Sequence, residues 1–146
     1  MRVGSTHPLT PVLVLALLAG CATRERFWPL EITHIAREAT VRRDHDTMTI
    51  VTNAEGSDGP YSSAYDRGLN AALLRAANET EAAGFTCFDA IEIDPRLLMS
   101  HSDRGPEYQY VRYTVTIRPV RPEVCTTSRK RYNTAEVIAG PIGGLF

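Results

Sequence analysis

The hydrophobic and polar positions change period several times along this chain. Over Asp46–Thr52, β-branched Thr, Ile and Val alternate in the register of a strand. Asn53–Pro60, with Gly56, Gly59 and Pro60, has the chemistry of a loop. Ser63-Ala64-Tyr65-Asp66 then fits a capping box, in which the serine hydroxyl and the acidic side chain satisfy free backbone N–H groups at a helix start. Tyr65, Leu69, Ala72, Leu73, Ala76, Thr80 and Ala83 recur at three- and four-residue steps, so the spacing predicts a helix over Ser63–Ala83 with that face on the core. Asp66, Arg67, Asn70, Asn78, Glu79 and Glu81 are expected mainly on the other faces, and Gly84 supplies a left-handed stop.

Phe85–Asp94 reads as the next strand, with Phe85, Cys87, Ile91 and Ile93 on one side. Asp89 interrupts that side, which calls for a bulge or for burial of both faces near Phe88 and Ala90. Pro95–Glu107 is expected as a polar connection. Tyr108–Val120 is the clearest strand: Val111, Tyr113, Val115 and Ile117 point one way, and Arg112, Thr114, Thr116 and Arg118 the other. Pro119 and Pro122 end it. A last short strand is expected over Thr134–Ala139, before a Gly-rich apolar tail at 140–146. The resulting order, β-α-β-β-β, predicts an α+β two-layer domain over 44–139, one long helix covering a small, mainly antiparallel sheet whose other face stays wet.

The start of the chain has a different logic. Arg2 is followed by the apolar run Val12–Leu18, which is too short for a stable spanning helix and the right size for a signal-peptide core. It ends in Leu18-Ala19-Gly20-Cys21, which looks like a bacterial lipobox, with cleavage between Gly20 and Cys21 and acylation of the Cys21 thiol. Residues 1–20 are therefore expected to be a lipoprotein signal peptide and 21–43 a lipid-anchored tether, with a short strand at Glu31–Ile35. Trp28, in the cluster Phe27-Trp28-Pro29-Leu30, suits either the headgroup level or an edge of the folded domain. Multiple acyl chains exceed the two signals that stable anchoring requires. Ala22, rather than Asp, follows the acylated residue, which favours the periplasmic face of the outer membrane.

Composition narrows the class further. Sixteen basic against seventeen acidic residues give a formal charge of −1, without the basic excess of a nucleic-acid binder. A hydrophobic fraction of 43% with 23% charged residues belongs to a globular chain.

Leu73-Leu74-Arg75-Ala76-Ala77-Asn78-Glu79-Thr80, followed by Gly84-Phe85 and Phe88, is similar to a signature of small proteobacterial lipoproteins, an L-x-R-A-A-E-x-T helix running into G-[FY]-x-x-F and a strand. The molecular function of that family is uncharacterised. The resemblance implies an envelope lipoprotein of this layout and carries no catalytic residue across. Physically, Ala76 and Ala77 permit close helix–sheet approach, and Arg75 and Glu79 are spaced to pair along the helix.

Candidate chemistry is thin. Asp44-His45-Asp46, at a strand entrance, puts two carboxylates on one side with His45 facing away, which does not converge on a metal. His101-Ser102-Asp103 holds the residue types of a hydrolase triad, but neighbours in sequence rarely form one, so it reads as a polar turn. No H-E-x-x-H, G-x-S-x-G or C-x-x-C motif occurs. We expect no enzyme, catalytic residue, metal or cofactor. Cys87 and Cys125 are the even pair left in an oxidising compartment once Cys21 is acylated; they flank the ends of two strands expected to pair, so a disulfide is expected. The expected partners are the membrane and an envelope protein, through an interaction or structural module. The alternative is a small-ligand binder with a pocket between helix and sheet or beneath the Pro95–Glu107 connection.

Overall fold

The computed structural model describes residues 28–56, 63–100 and 108–140. Its elements run α1 (Leu30–Glu38), β1 (Thr40–Asp44), β2 (Thr47–Glu55), α2 (Ala64–Ala82), β3 (Cys87–Ser100), β4 (Tyr108–Val120), β5 (Arg131–Asn133) and α3 (Thr134–Ala139). The strands form one antiparallel sheet in the order β1-β2-β4-β3-β5, with the helices packed on it, so the fold is α+β.

Strand β4 coincides with the expected range and faces. Val111, Tyr113, Val115 and Ile117 are buried under α2, and Met48, Ile50, Thr52 and Ala54 of β2 continue the same face. Helix α2 begins where the capping pattern places it, the Ser63 hydroxyl accepting the Asp66 N–H at 3.1 Å. Ala71, Ala72, Ala76 and Ala77 have no exposed surface, and these small side chains let the helix axis come down on the sheet. Gly68 marks the tightest approach: a Cβ there would sit 2.8 Å from the Tyr113 ring. Gly84, at φ +86, closes the helix as expected.

The buried face of α2 is rotated from the expected one. Leu73, Ala72, Ala76 and Thr80 are buried as read, but Tyr65 and Ala83 are exposed and Leu69 only partly covered. Arg67, expected on a solvated face, is buried. Three partners drive this: the sheet lies under one side of the helix, and α1 and α3 pack along others.

Helix α1 is the largest departure. The segment read as tether with a strand at Glu31–Ile35 is instead helical from Leu30, preceded by Pro29 and followed by strand β1. Ile32 and Ala36, one turn apart, are buried against the domain, and Trp28 packs with them while its indole N–H donates to the Val137 carbonyl at 2.7 Å. Of the two settings open to Trp28, the edge of the domain is the one it occupies.

Two further corrections lie at the other end of the chain. Thr134–Ala139 is a helix rather than a strand, because the Asn133 side chain caps it at the Glu136 N–H and Thr134, Val137 and Ile138 bury at helical spacing. The expected range of β3 stops at Asp94, but pairing with β4 continues through Pro95 to Ser100. Proline is tolerated there because β3 has no strand paired on its outer side beyond Ala90, whose N–H donates to the Lys130 carbonyl, among the described residues. The irregularity at Asp89 resolves as a bulge between Ala90 and Glu92. Phe88 enters the core and stacks on Tyr132 at 5.2 Å between ring centres.

Candidate functional site

The sheet has two ends, and the functional candidates sort between them. At one end lie the β1–β2 hairpin tip, the C-terminus of α2, the start of β3 and the end of β4. At the other lie the starts of α1 and α2, the end of β2, the end of β3 and the start of β4.

The hairpin end contains the disulfide. Cys87, fully buried at the first position of β3, bonds Cys125 in the segment after β4, with Cα atoms 6.1 Å apart. Antiparallel pairing of Cys87 with Val120 is what brings the start of one strand to the end of the other. Asp89, two residues on, receives a bidentate contact from Arg131: Nε to Oδ1 at 2.7 Å and Nη2 to Oδ2 at 2.9 Å. That hydrogen bonding, reinforced by the Arg131 and Arg118 charges, holds the Asp89 carboxyl below its ordinary pKa and raises that of Arg131.

A cavity of about 400 Å³ opens between the hairpin tip and the end of α2. Met48, Ala82, Ala83, Phe85 and Pro119 give it apolar walls, and Arg43, His45 and Asp46 lie at its rim. His45 sits in the two-residue turn between β1 and β2 with φ +47, a left-handed conformation uncommon for residues other than glycine. The Asp44-His45-Asp46 triplet is thus a hairpin turn rather than a strand entrance. His45 Nε2 lies 3.7 Å from Asp44 rather than facing away, while Asp46 pairs with Arg118 at 2.9 Å.

Along α2, Arg75 does more than pair with Glu79. Its Nε meets the Glu79 carboxylate at 2.7 Å, and its Nη1 donates to the Ala36 and Arg37 carbonyls at 3.2 and 3.1 Å. Arg75 therefore ties down the C-terminal end of α1, and Arg43 contacts Glu79 from β1. The signature residues act as a clamp between elements.

At the opposite end, Arg67 joins three elements. From α2 its Nε lies 3.2 Å from the Glu31 carboxylate in the first turn of α1, and its Nη2 donates to the Glu55 carbonyl at the end of β2. Burial, with the nearby Asp66 and Tyr65, pushes the Tyr113 phenol above its usual pKa, and Tyr65 meets that ring edge-on at 6.5 Å.

Large apolar side chains stay uncovered at this end: Leu30 is 83% exposed, Leu97 52%, Met99 49% and Tyr65 42%. Leu97 and Met99 face the helical side of the sheet, opposite Val111 and Gln109 of β4. No signal in the sequence marks them out, because Leu97 and Met99 fall in the segment read as a polar connection.

The far face of the sheet has no layer over it among the described residues. Thr49 pairs with Thr116 there, among the partly exposed Val51 and Thr114 and the exposed Arg42, Arg112 and Arg118. Gly20, Cys21, Phe27, His101, Ser102 and Asp103, with the 140–146 tail beyond Gly140, lie outside the described residues. His34, by contrast, is on the surface of α1 beside Glu38. Among the described residues no group of three His, Cys, Asp or Glu side chains forms a metal site, and no helix is long and apolar enough to cross a membrane.

The chain matches no family model, no curated protein and no solved structure.

Proposed function

We propose that this chain is a bacterial envelope lipoprotein, acylated on Cys21 after cleavage behind Gly20. It is held at the periplasmic face of the outer membrane, and its domain serves as a non-catalytic interaction or structural module. The anchor rests on the coincidence of Arg2, the apolar run Val12–Leu18 and Leu18-Ala19-Gly20-Cys21, together with the resemblance to small proteobacterial lipoproteins.

One observation carries the module reading. The interface between α2 and the sheet is filled by Ala71, Ala72, Ala76, Ile50, Val115, Ile117 and Phe88, all without exposed surface, while the opposite sheet face has no layer over it among the described residues. A ligand between the layers would have to displace packed core, whereas a partner on the open face displaces only water.

Radiolabelled palmitate should label the wild-type chain in the outer-membrane fraction and leave Cys21→Ser unlabelled. Persistent labelling of that variant would refute the anchor. For the module, a photoreactive residue in place of Thr116 should give one discrete adduct in intact cells.

The second reading, a small-ligand binder, is favoured by the 400 Å³ apolar cavity at the hairpin end. A silent sheet face, combined with a small apolar molecule that raises the melting temperature of wild type and not of a cavity-filling Ala82→Phe variant, would select it.

A further inference from the structure

We infer that a cleft between the 126–131 turn and the open face of the sheet binds a phosphate monoester. The site depends neither on the Cys21 anchor nor on a partner for the sheet face.

Its position follows from strand register. Asp89 and Arg118 pair across β3 and β4, while their neighbours Phe88, Ala90 and Ile117 are buried in the core, so both charged side chains stand on the opposite face. Strand β5 sets Arg131 beside Asp89. A cleft of about 590 Å³ opens there, lined by Arg118, Lys130, Arg131, Asp89, Thr126 and Ser128.

Positive charge is concentrated at this place. Residues 118–131 carry five basic side chains, Arg118, Arg121, Arg129, Lys130 and Arg131, against the single acid Glu123, in a chain whose formal charge is −1. A guanidinium has five N–H donors. Arg131 uses two of them on Asp89, and Arg118 meets Asp46 through Nε. Lys130, the only lysine in the chain, has no side-chain partner among the described residues.

The lining is also held in advance. Cys125, one residue before Thr126, is bonded to Cys87 at the start of β3. Further along, the Ala90 N–H donates to the Lys130 carbonyl at 2.7 Å. Ser128 and Arg131 close a turn between these pins: the Ser128 N–H donates to the Arg131 carbonyl at 3.0 Å, and the Arg131 N–H to the Ser128 Oγ at 3.2 Å. The Ser128 hydroxyl thus accepts one hydrogen bond and keeps its own proton to donate. Groups ordered before a ligand arrives lose less freedom on binding.

The donor set selects the anion. One arginine satisfies one carboxylate here, as the Asp89–Arg131 fork shows. Lys130, Arg118 and two hydroxyls in addition call for more acceptor oxygens and more charge. A phosphate monoester brings three terminal oxygens and a charge of about −1.5 to −2 at pH 7. The Asp89 carboxyl is lowered in pKa by the Arg131 hydrogen bonds and further by the Arg131 and Arg118 charges, against the opposing effect of burial, and the same charges act on an anion entering the cleft. The volume lies in the range of small-molecule sites, so the phosphate is carried on a larger body, for which Ala90 and Ile91 offer apolar surface.

The test is calorimetric titration of glucose 6-phosphate into the full-length chain in phosphatidylcholine vesicles. Binding should be tighter than about 1 mM. Glucuronate, a carboxylate on a similar ring, should bind at least about ten-fold more weakly, and so should glucose 6-phosphate to Lys130→Ala or Arg118→Ala, each having lost a hydrogen bond to a charged group. Arg42→Ala, at the other edge of the same face, should bind as wild type, and all three variants should melt with it. No binding, equal binding of glucuronate, unchanged binding in Lys130→Ala and Arg118→Ala, or equal weakening in Arg42→Ala overturns the inference. Phosphatidic acid added to the vesicles identifies the source. Competition that phosphatidylglycerol at matched surface charge does not reproduce marks a lipid headgroup, and its absence a soluble phosphomonoester; either supports the cleft as a phosphate site.

Discussion

Opening the Cys87–Cys125 bond should cost the domain a large share of its stability. The bond closes a loop of 38 residues. On the chain-entropy model, this removes about 13 cal/mol/K from the unfolded ensemble, or about 4 kcal/mol at 25 °C. Domains of this size have about 5–15 kcal/mol in total, so the bond decides whether the fold has a comfortable margin. With an unfolding entropy of about 2.1 cal/mol/K per residue over about 110 residues, the melting temperature should fall by about 15 °C. Cys125→Ala is the cleaner perturbation, because Cys125 is only partly buried whereas Cys87 lies in the core, where truncation would add a cavity. Circular dichroism melts of wild type, reduced wild type and Cys125→Ala should give two coincident low curves and one high curve. Mass spectrometry of the non-reduced chain should find neither cysteine alkylatable under denaturing conditions. A drop below about 4 °C, or about 1 kcal/mol on the same scale, would refute the loop-entropy reasoning, because it would mean that the unfolded chain already keeps the two segments together.

Two further predictions follow from the packing and the charges. Leu73→Ala should destabilise by about 2–5 kcal/mol in urea titrations, whereas Leu69→Ala, at a partly covered position, should cost distinctly less; equal losses would contradict the rotated helix face. Because Asp89 has a lower pKa folded than unfolded, its pairing with Arg131 stabilises fully above the unfolded value near 3.8 and is lost as the pH falls through the folded value. Asp89→Asn should therefore lower the melting temperature at pH 7 and converge on wild type in acid; a constant gap down to acidic pH would show that the ion pair is not the source.

How much of the fold can be read from the chain depends on whether one partner or several decide each face. Strand β4 is legible because it runs through the middle of the sheet with one wet and one dry face, so alternation alone reports its environment. Helix α2 is legible in position, since its cap is local chemistry, but not in orientation. A helix packed against the sheet, α1 and α3 buries more than one stripe, and Arg67 looks solvated until Glu31 and the Glu55 carbonyl are brought to it. Helix α3 has a usable signal, Asn133 three residues before Glu136, which a strand over Thr134–Ala139 leaves unused. The end of β3 carried none: Pro95 argues against a strand unless the free edge is already known.

The misreading of α1 has the widest functional consequence. Glu31-Ile32-Thr33-His34-Ile35 is short and rich in β-branched residues, but Ile32, Ile35 and Ala36 stand at the three- and four-residue steps of a helix, with Trp28 one turn before them. With α1 taken as tether, more than twenty residues would separate the proposed acylation site, Cys21, from the fold. With α1 packed through Ile32, Ala36 and the Trp28–Val137 hydrogen bond, and clamped at its C-terminal end by Arg75, that separation shrinks to six residues. The Arg75-Ala76-Ala77 run then acquires a role beyond helix formation. The alanines set the depth of α2 on the sheet, and the arginine holds the C-terminal end of α1. Replacing Arg75 would loosen α1 on α2 and leave the core beneath α2 intact, which separates the docking of α1 from the packing of the sheet.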